Sequence, residues 1–345
     1  MKTSRGKQHA AALITALFVV LVASTLASAI LQQTSLDLRR VHNNYFSSQT
    51  FHYALGVEYW AMGRLDQDAL NDQTRGAVDA LDEVWNEPLT SLQVNRQAQI
   101  SGQITDLQGL FNLNSLAPAT AEPTPQSIAQ SEMFARLLNK LEIDPGLANA
   151  VADWIDTDRT TRSPGGAEDT EYLRLKVPYR TPNMLMATLD EIGAVQGITP
   201  EIIKKLRPWV KVLPATTTIN VNTAPKEILL ALSPLIDEPT AESIINARKL
   251  KPFLSVEAFI NYVKSLRGKG GDRDDPDDRD DRDDRSGPSD PTSELQKLQL
   301  IVGTSSQYFQ CKALVIMQEA HFIQSSLLHR EAQKIRVLQR IRGEF

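Results

Sequence analysis

The chain has 345 residues, 41% hydrophobic and 23% charged, enough for two modest domains and their linkers. Its net charge of −5 equals the excess of nine Asp over four Arg in the run Asp272–Arg285, so the remainder is neutral and makes no global attraction for nucleic acid. The lone cysteine, Cys311, excludes an internal disulfide and a cysteine-based zinc site, while a body this large can be stable outside the cytoplasm without crosslinks.

Residues 1–10 form a short basic leader with Lys2, Arg5 and Lys7. From Ala10 to Leu31 there is no charge, glycine or proline, and a helix of that length crosses a bilayer's hydrocarbon core. Positive charge before the run and none soon after it predicts a cytoplasmic N-terminus and an external body. A cleaved secretory signal is the competing reading, with Ala23, Ser24, Ala27 and Ser28 able to imitate a cleavage site. Against it, the helical pattern continues unbroken, and one long helix is expected over residues 11–65. No proline occurs before Pro88. Leu38, Val41, Tyr45, Ser48, His52, Leu55, Tyr59 and Met62 make a heptad stripe, widened by Phe46, Phe51, Tyr53 and Trp60. One face is expected on the protein's own sheet and another on neighbouring subunits.

Residues 66–120 hold the first β region. Leu92 and Val94, then Ile100, Gly102 and Ile104, alternate across a short polar turn. Residues 117–126, rich in Pro, Ala and Thr, read as a linker. From Gln126 to about Leu266 the reading is helical, with Asp144-Pro145, Thr199-Pro200 and Asn222-Thr-Ala-Pro225 marking helix starts. A compact all-α unit is expected over residues 121–268. The Asp/Arg-rich residues 269–291 cannot bury apolar surface and read as a disordered linker. Residues 292–345 return to strand character, through Phe309, Leu314, Ile316, Ile335 and Val337. Arg336, Arg340 and Arg342 are expected on one face of the last strand, guarding an edge. Strands, then helices, then strands imply a helical block inserted into one sheet domain.

Two constellations could carry function. Asp153, Asp156 and Asp158 end a helix pattern, and a loop with Pro164-Gly165-Gly166 leads to Glu168, Asp169 and Glu171. Hard oxygen ligands on a flexible loop suit Ca²⁺. The pattern is not an EF-hand, since counting from Asp156 the twelfth position is Ala167; a solvated acidic loop is the alternative. A paired-carboxylate hydrolase lacks a nucleophile or oxyanion motif nearby. The second constellation is a pair of helix–hairpin–helix-like units, Leu189–Leu206 and Ile219–Arg248. Glycines that would build a phosphate nest are scarce: Gly197 in the first hairpin, and none in Ser233-Pro-Leu-Ile236. Lys204, Lys205 and Arg207 read as a solvated helix face. A membrane-tethered DNA-binding protein is therefore the alternative function. His42, His52, His321 and His329 read as structural or surface residues, and Cys311 as a buried small apolar side chain.

Taken in order, several motifs resemble the K family of type II secretion minor pseudopilins (general secretion pathway protein K) across nearly the whole chain. They are Ala12-Leu-Ile-Thr15, Asp106-x-x-Gly109-x-Phe111-Asn112-x-Asn114, Asp153-Trp154-Ile-Asp156-x-Asp158, Gly166-Ala-Glu168-Asp-x-x-Tyr172 with Pro178-Tyr179, Leu206-Arg-Pro208 and Asn220-Val-Asn222-Thr-Ala. The resemblance implies an α+β pseudopilin fold: a long N-terminal transmembrane and amphipathic helix, an antiparallel sheet, and a large all-α domain inserted between strands. It implies calcium in or near that domain, carried here onto Asp156, Asp158, Glu168, Asp169 and Glu171. It further implies methylation and prepilin peptidase processing, between Ala10 and Ala11 when the Ala-Leu-Ile-Thr start is aligned, with Gly6 as the other candidate. In that register Thr15 is the fifth mature residue, where most pilin-like subunits carry Glu, and its lack of an acid fits a subunit with none ahead of it. The implied role is non-enzymatic: a single-pass inner-membrane subunit at a pseudopilus tip. Its implied partners are the I and J minor pseudopilins, the major pseudopilin fibre, prepilin peptidase, inner-membrane lipid and secreted protein substrates, with no nucleic acid.

Overall fold

The computed structural model describes residues 4–117, 123–268, 290–317, 320–331 and 334–343; the Asp272–Arg285 run and most of the expected linker lie outside them. In chain order the elements are α1 (Ser4–Arg75), β1 (Leu89–Asn95), β2 (Ala98–Asp106), β3 (Phe111–Asn112), α2 (Pro125–Lys140), α3 (Leu147–Ile155) and α4 (Asp169–Tyr172). They continue with α5 (Pro200–Leu206), β4 (Val210–Lys211), β5 (Ile219–Asn220), α6 (Lys226–Leu232), α7 (Glu238–Leu250) and α8 (Val256–Gly268). The last are α9 (Pro291–Ile301), β6 (Val302–Gly303), β7 (Tyr308–Met317), β8 (Ala320–Glu331) and β9 (Lys334–Arg342).

Helix α1 passes residue 65 and stops at Gly76, whose φ of +91° takes the chain out of the helix. Ala10 and Ala11 lie within its helical backbone. The apolar residues from Leu13 to Leu31 are exposed all round, and nothing among the described residues covers them. Such a helix fits a single membrane anchor. Farther along, the face that meets the sheet differs from the heptad stripe expected from sequence. Thr50, Ala54, Val57, Glu58, Ala61, Leu65 and Asp68 are buried, whereas Leu38, Val41, Tyr45 and Tyr59 are exposed. The reason is close approach. Small residues let the helix axis settle on β2 at Gly102, where Val57 and the Trp60 ring occupy the space a Cβ would need. The larger stripe residues Leu38, Val41, Tyr45 and Tyr59 point away.

The five-stranded antiparallel sheet runs β1-β2-β7-β8-β9. Its two central neighbours, β2 and β7, pair from Ala98↔Met317 to Asp106↔Phe309, although the whole helical block separates them in sequence. One face carries α1, with Ala54, Val57, Ala61 and Leu65 packed on Ile100, Ile104, Phe309, Val315 and Leu328. The Trp85 ring meets Phe309 edge-on at 5.4 Å. Cys311 is buried in this layer, as its alternating strand suggested, and burial pushes its thiol up to about 12.

In β9 the three arginines do not share a face. The register slips between Leu327↔Gln339 and Leu328↔Val337. Ile335 and Val337 pack on the α1 side, so the alternating Arg336 points the other way. After the slip Arg340 and Arg342 turn toward α1, reaching Glu58 and Ser47. A bulge inverts the parity that strict alternation assumes.

The helical block has its own core, built from residues such as Phe134, Leu137, Ile228 and Phe259, with Phe111 stacked on Phe134 at 4.9 Å. It is less uniformly helical than expected: residues 173–188 have no regular structure, and two short parallel strand pairs, β3–β4 and β5–β6, lace it together. It also reaches farther. Residues 291–301 form a helix, not a strand, because Asp290 caps it, Pro291 starts it, and Leu298 and Ile301 share one buried face. Lys297 of α9 binds Glu132 of α2 at 2.8 Å.

Two of the sequence motifs form the joint between block and sheet. Buried Asp106 accepts hydrogen bonds from Asn220 Nδ2 at 3.0 Å, Thr223 Oγ1 at 2.6 Å and Ser306 Oγ at 2.7 Å. Gly109 lies flat against Thr223, whose Oγ1 would sit 2.8 Å from a Cβ there. Asn112 and Asn114 each clamp the backbone at Leu213. Beside this joint, Arg330 of β8 pairs with Asp68 at 2.9 Å and with Asp79 at 2.6 Å, all three buried.

Candidate metal centre

Helix α3 ends at Ile155 with Asp153 in its last turn and Asp156 as its C-cap, both buried. Carboxylates there face the negative end of the helix dipole and need compensating cations. The chain then turns back through Asp158, whose Oδ1 accepts from Thr160 N at 2.7 Å. Gly165 takes a φ of +86°, and Gly166 packs so closely on Asp153 and Arg162 that a side chain would collide with both. That contact brings Glu168, just before α4, to the end of α3.

Oxygens of Asp156, Asp158 and Glu168 lie within 4.8 Å of one another. Opposite ligands of one Ca²⁺ stand about 4.6–5.2 Å apart, twice the usual Ca–O distance, so these oxygens can share one ion. Four buried acceptors here have no hydrogen-bond partner among the described residues: Asp153 Oδ1, Asp156 Oδ1, Glu168 Oε1 and Asn183 Oδ1. Asn183 belongs here because its Nδ2 donates to the Asp158 carbonyl at 3.1 Å, in a left-handed conformation with φ of +48°. Burial, together with Asp153, Asp156 and Asp158, pushes the Glu168 carboxyl up to about 7. Burial and the neighbouring Asp156 push Asp153 up to about 6, against the pull of the Arg162 backbone N–H and guanidinium. Crowded carboxylates with orphaned oxygens are the donor set a hard divalent cation requires.

Of the five ligands expected, the structure brings three together. Asp169 and Glu171 are engaged elsewhere. Asp169 accepts from Thr181 N at 3.1 Å and Arg180 Nη1 at 3.2 Å, and Glu171 Oε2 accepts from Glu168 N at 3.0 Å. Sequence spacing did not reveal Asn183 or Arg162. Arg162 Nη2 donates to Asp156 Oδ2 at 2.9 Å, and its Nε lies 3.3 Å from Asp153 Oδ1. Asn183 carries no local signal, since only the tertiary fold returns residue 183 to residue 158. A second acidic group, Asp68, Asp79 and Glu83, is of a different kind, because the Arg330 guanidinium already sits among its carboxylates.

Two of the three basic residues singled out in the first helix–hairpin–helix-like unit are also engaged. Lys205 Nζ donates to Leu141 O at 3.0 Å, and Arg207 pairs with Asp190 at 2.7 Å. The Leu147 side chain fills the space beside Gly197, 2.7 Å from where a Cβ would lie.

Residues 109–215 and 219–276 match two family descriptions for the type II secretion system (T2SS), protein K. The chain is 33% identical over 271 residues to type II secretion system protein K of Pseudomonas aeruginosa, covering 78% of this chain and 80% of that one. It is 29% identical to the protein of that name from Pectobacterium carotovorum, covering 99% and 98%. In fold it is similar to a chain of the crystallised GspK-GspI-GspJ complex of the enterotoxigenic Escherichia coli type 2 secretion system. The TM-score is 0.69 and the identity 24%, covering 89% of this chain and all of that one.

Proposed function

This chain belongs to the protein K family of the type II secretion system, and from that footing we propose that it is a non-enzymatic inner-membrane subunit that caps a pseudopilus. The observation that carries the reading is the single helix α1, bare and apolar from Leu13 to Leu31 and buried along one face against the sheet from Thr50 onward. An anchor and a head on one rigid rod can be lifted from the membrane as a unit. The helical block widens the head, and that bulk would obstruct a further subunit from stacking on top. With cleavage between Ala10 and Ala11, a hydroxyl side chain at Thr15 places no buried acid where a subunit ahead would have to neutralise it. By kinship with the GspK of the crystallised complex, the I and J minor pseudopilins are its neighbours in a tip complex. That complex would start fibre assembly upon the major pseudopilin and contact secreted proteins in the periplasm.

We further propose that Asp156, Asp158 and Glu168, with the Asn183 amide oxygen, hold one Ca²⁺. When bound it would neutralise the carboxylates and fix the loop of residues 157–168 against α3. The orphaned acceptors support this reading. The DNA-binding alternative is weakened by the engagement of Lys205 and Arg207.

Two experiments test these roles. N-terminal sequencing of the protein from a membrane fraction should find a start at Ala11, and deletion of the gene should lower secretion while leaving export to the periplasm intact. Normal secretion in the deletion strain would end the capping proposal. Terbium added to the purified protein should luminesce on excitation of Trp154, next to Asp153, and calcium should quench the signal; no sensitised emission would count against the ion.

A further inference from the structure

We propose that residues 173–180 form a docking strap for an acidic surface of a secreted protein; this rests on the reading of the chain as a secretion subunit. The segment reads Leu-Arg-Leu-Lys-Val-Pro-Tyr-Arg, with apolar and cationic residues alternating and no acid. All eight residues are exposed, and Val177 reaches 74%. Met184, at 63%, and Leu185 extend the apolar surface just beyond it. A folded protein rarely leaves so many adjacent large apolar side chains in water without a partner for them.

The strap is held, not frayed. Before it, Tyr172 is fully buried, and its phenol oxygen accepts from Gln196 N at 3.1 Å. After it, Thr181 N and Oγ1 both donate to Asp169 Oδ1, at 3.1 and 3.2 Å. Thr181 Oγ1 also lies 3.3 Å from Glu168 Oε2, and Asn183 holds Asp158. Within the strap, Tyr179 OH donates to Ala194 O at 2.7 Å, while its ring packs 5.2 Å from Tyr172. The far end is thus fastened to Glu168 and Asp158 of the candidate metal centre, so a site that orders those residues also presents the strap.

Charge selects the partner. Arg180 is paired with Asp169, which leaves Arg174 and Lys176 as cations among Leu173, Leu175 and Val177. A surface whose carboxylates rim an apolar cleft matches that alternation. An anionic membrane offers the same charge but is out of reach. About 28 Å of helix separates Leu31, at the end of the apolar run, from Thr50, where the body begins. Just after the strap, Leu185 and Ala187 line a cavity with Leu327 and Gln339 of the sheet, whose neighbours Ser326 and Arg340 bond Glu58, farther along α1 than Thr50.

The test uses the full-length protein in its own secreting cells, with p-benzoylphenylalanine replacing Val177. Irradiation should yield an adduct whose second component, identified by mass spectrometry, is a secreted protein. Adding R174E and K176E should reduce both the adduct and secretion about tenfold. Protein level and thermal midpoint should be unchanged. Failure to form an adduct, adducts confined to other pseudopilus subunits or lipid, or an adduct indifferent to R174E/K176E would each overturn the strap. The deletion strain separates the two readings. If deletion blocks secretion while R174E/K176E secretes normally, only the strap fails; if deletion leaves secretion intact, the capping role fails with it.

Discussion

The guanidinium of Arg340 in β9 grips the carboxylate of Glu58 in α1 with two bonds, Nε to Oε2 and Nη2 to Oε1, both at 2.8 Å. Glu58 is buried and also accepts from Ser326 Oγ at 2.6 Å, whereas Arg340 keeps much of its side chain in water. The pair fixes the rotation of the long helix on the sheet, and its two halves are unequal.

Removing the arginine strands a buried charge, so Arg340→Ala should cost about 3 kcal/mol in urea unfolding of the detergent-solubilised protein. Glu58→Gln keeps an acceptor for Ser326 and releases an arginine that water can solvate, so it should cost about 1 kcal/mol. Combining the two should cost less than Arg340→Ala alone. A double variant less stable than either single one would refute this asymmetry.

Gly102 permits the close approach of α1. Its replacement by Ala places a methyl group into Val57 and beside the Trp60 ring, and should destabilise the protein by about 1–3 kcal/mol. Val57→Ala on that background should restore part of the loss. Equal melts for Gly102→Ala and the parent would show that the helix can shift freely on the sheet.

Burial pushes the Glu83 carboxyl up to about 7, with nearby Asp68 and Asp72 adding to the effect, against hydrogen bonds from Ala80 N at 2.9 Å and Trp85 Nε1 at 2.8 Å. A carboxyl whose folded value is raised binds its proton more tightly in the native state, so its effect on stability becomes less favourable as pH rises toward 7. The protein should therefore be more stable at pH 5.5 than its Glu83→Gln variant would extrapolate. Glu83→Gln, which keeps an acceptor for both donors, should flatten the pH dependence between 5 and 7.5 by on the order of 1 kcal/mol after solvent screening. Thermal melts across that range provide the check; parallel profiles would exclude a role for Glu83.

Calcium at about 100 times its dissociation constant should stabilise the protein by about 2.7 kcal/mol, and Asp156→Asn or Glu168→Gln should remove most of that gain. Arg162→Gln tests the internal counter-cation. With chelator present the carboxylates of Asp153 and Asp156 lose their neutralising partner, and the melting temperature should fall. With calcium present the deficit should shrink. A deficit of equal size in both conditions would mark Arg162 as a plain structural ion pair.

Much of this architecture was legible in the chain. A charge-free run followed by proline-free helix set the rod, alternation at Ile100, Gly102 and Ile104 set β2, and Thr199-Pro200 set the start of α5, where Thr199 accepts from Ile202 N. These are local signals, in which hydrophobic period or capping chemistry acts over a few residues. The acidic cluster was visible for the same reason, since Asp156, Asp158 and Glu168 flank a single loop.

What the sequence determined by itself was therefore most of the helices and strands, residues 173–188 and 291–301 excepted, and that carboxylates crowd one turn of chain. Only the tertiary structure decided which face of α1 is buried, on which side of β9 its arginines lie, and which oxygens of the acidic loop stay unpartnered. The physical reason is distance along the chain. Ala54 beats Tyr45 for the sheet because Gly102 leaves room, Arg340 turns inward because of a bulge and a buried Glu58, and Asn183 meets Asp158 across a long excursion of chain. Contacts of that span are set by packing and by the pairing of buried charge, and neither leaves a period in the residues themselves.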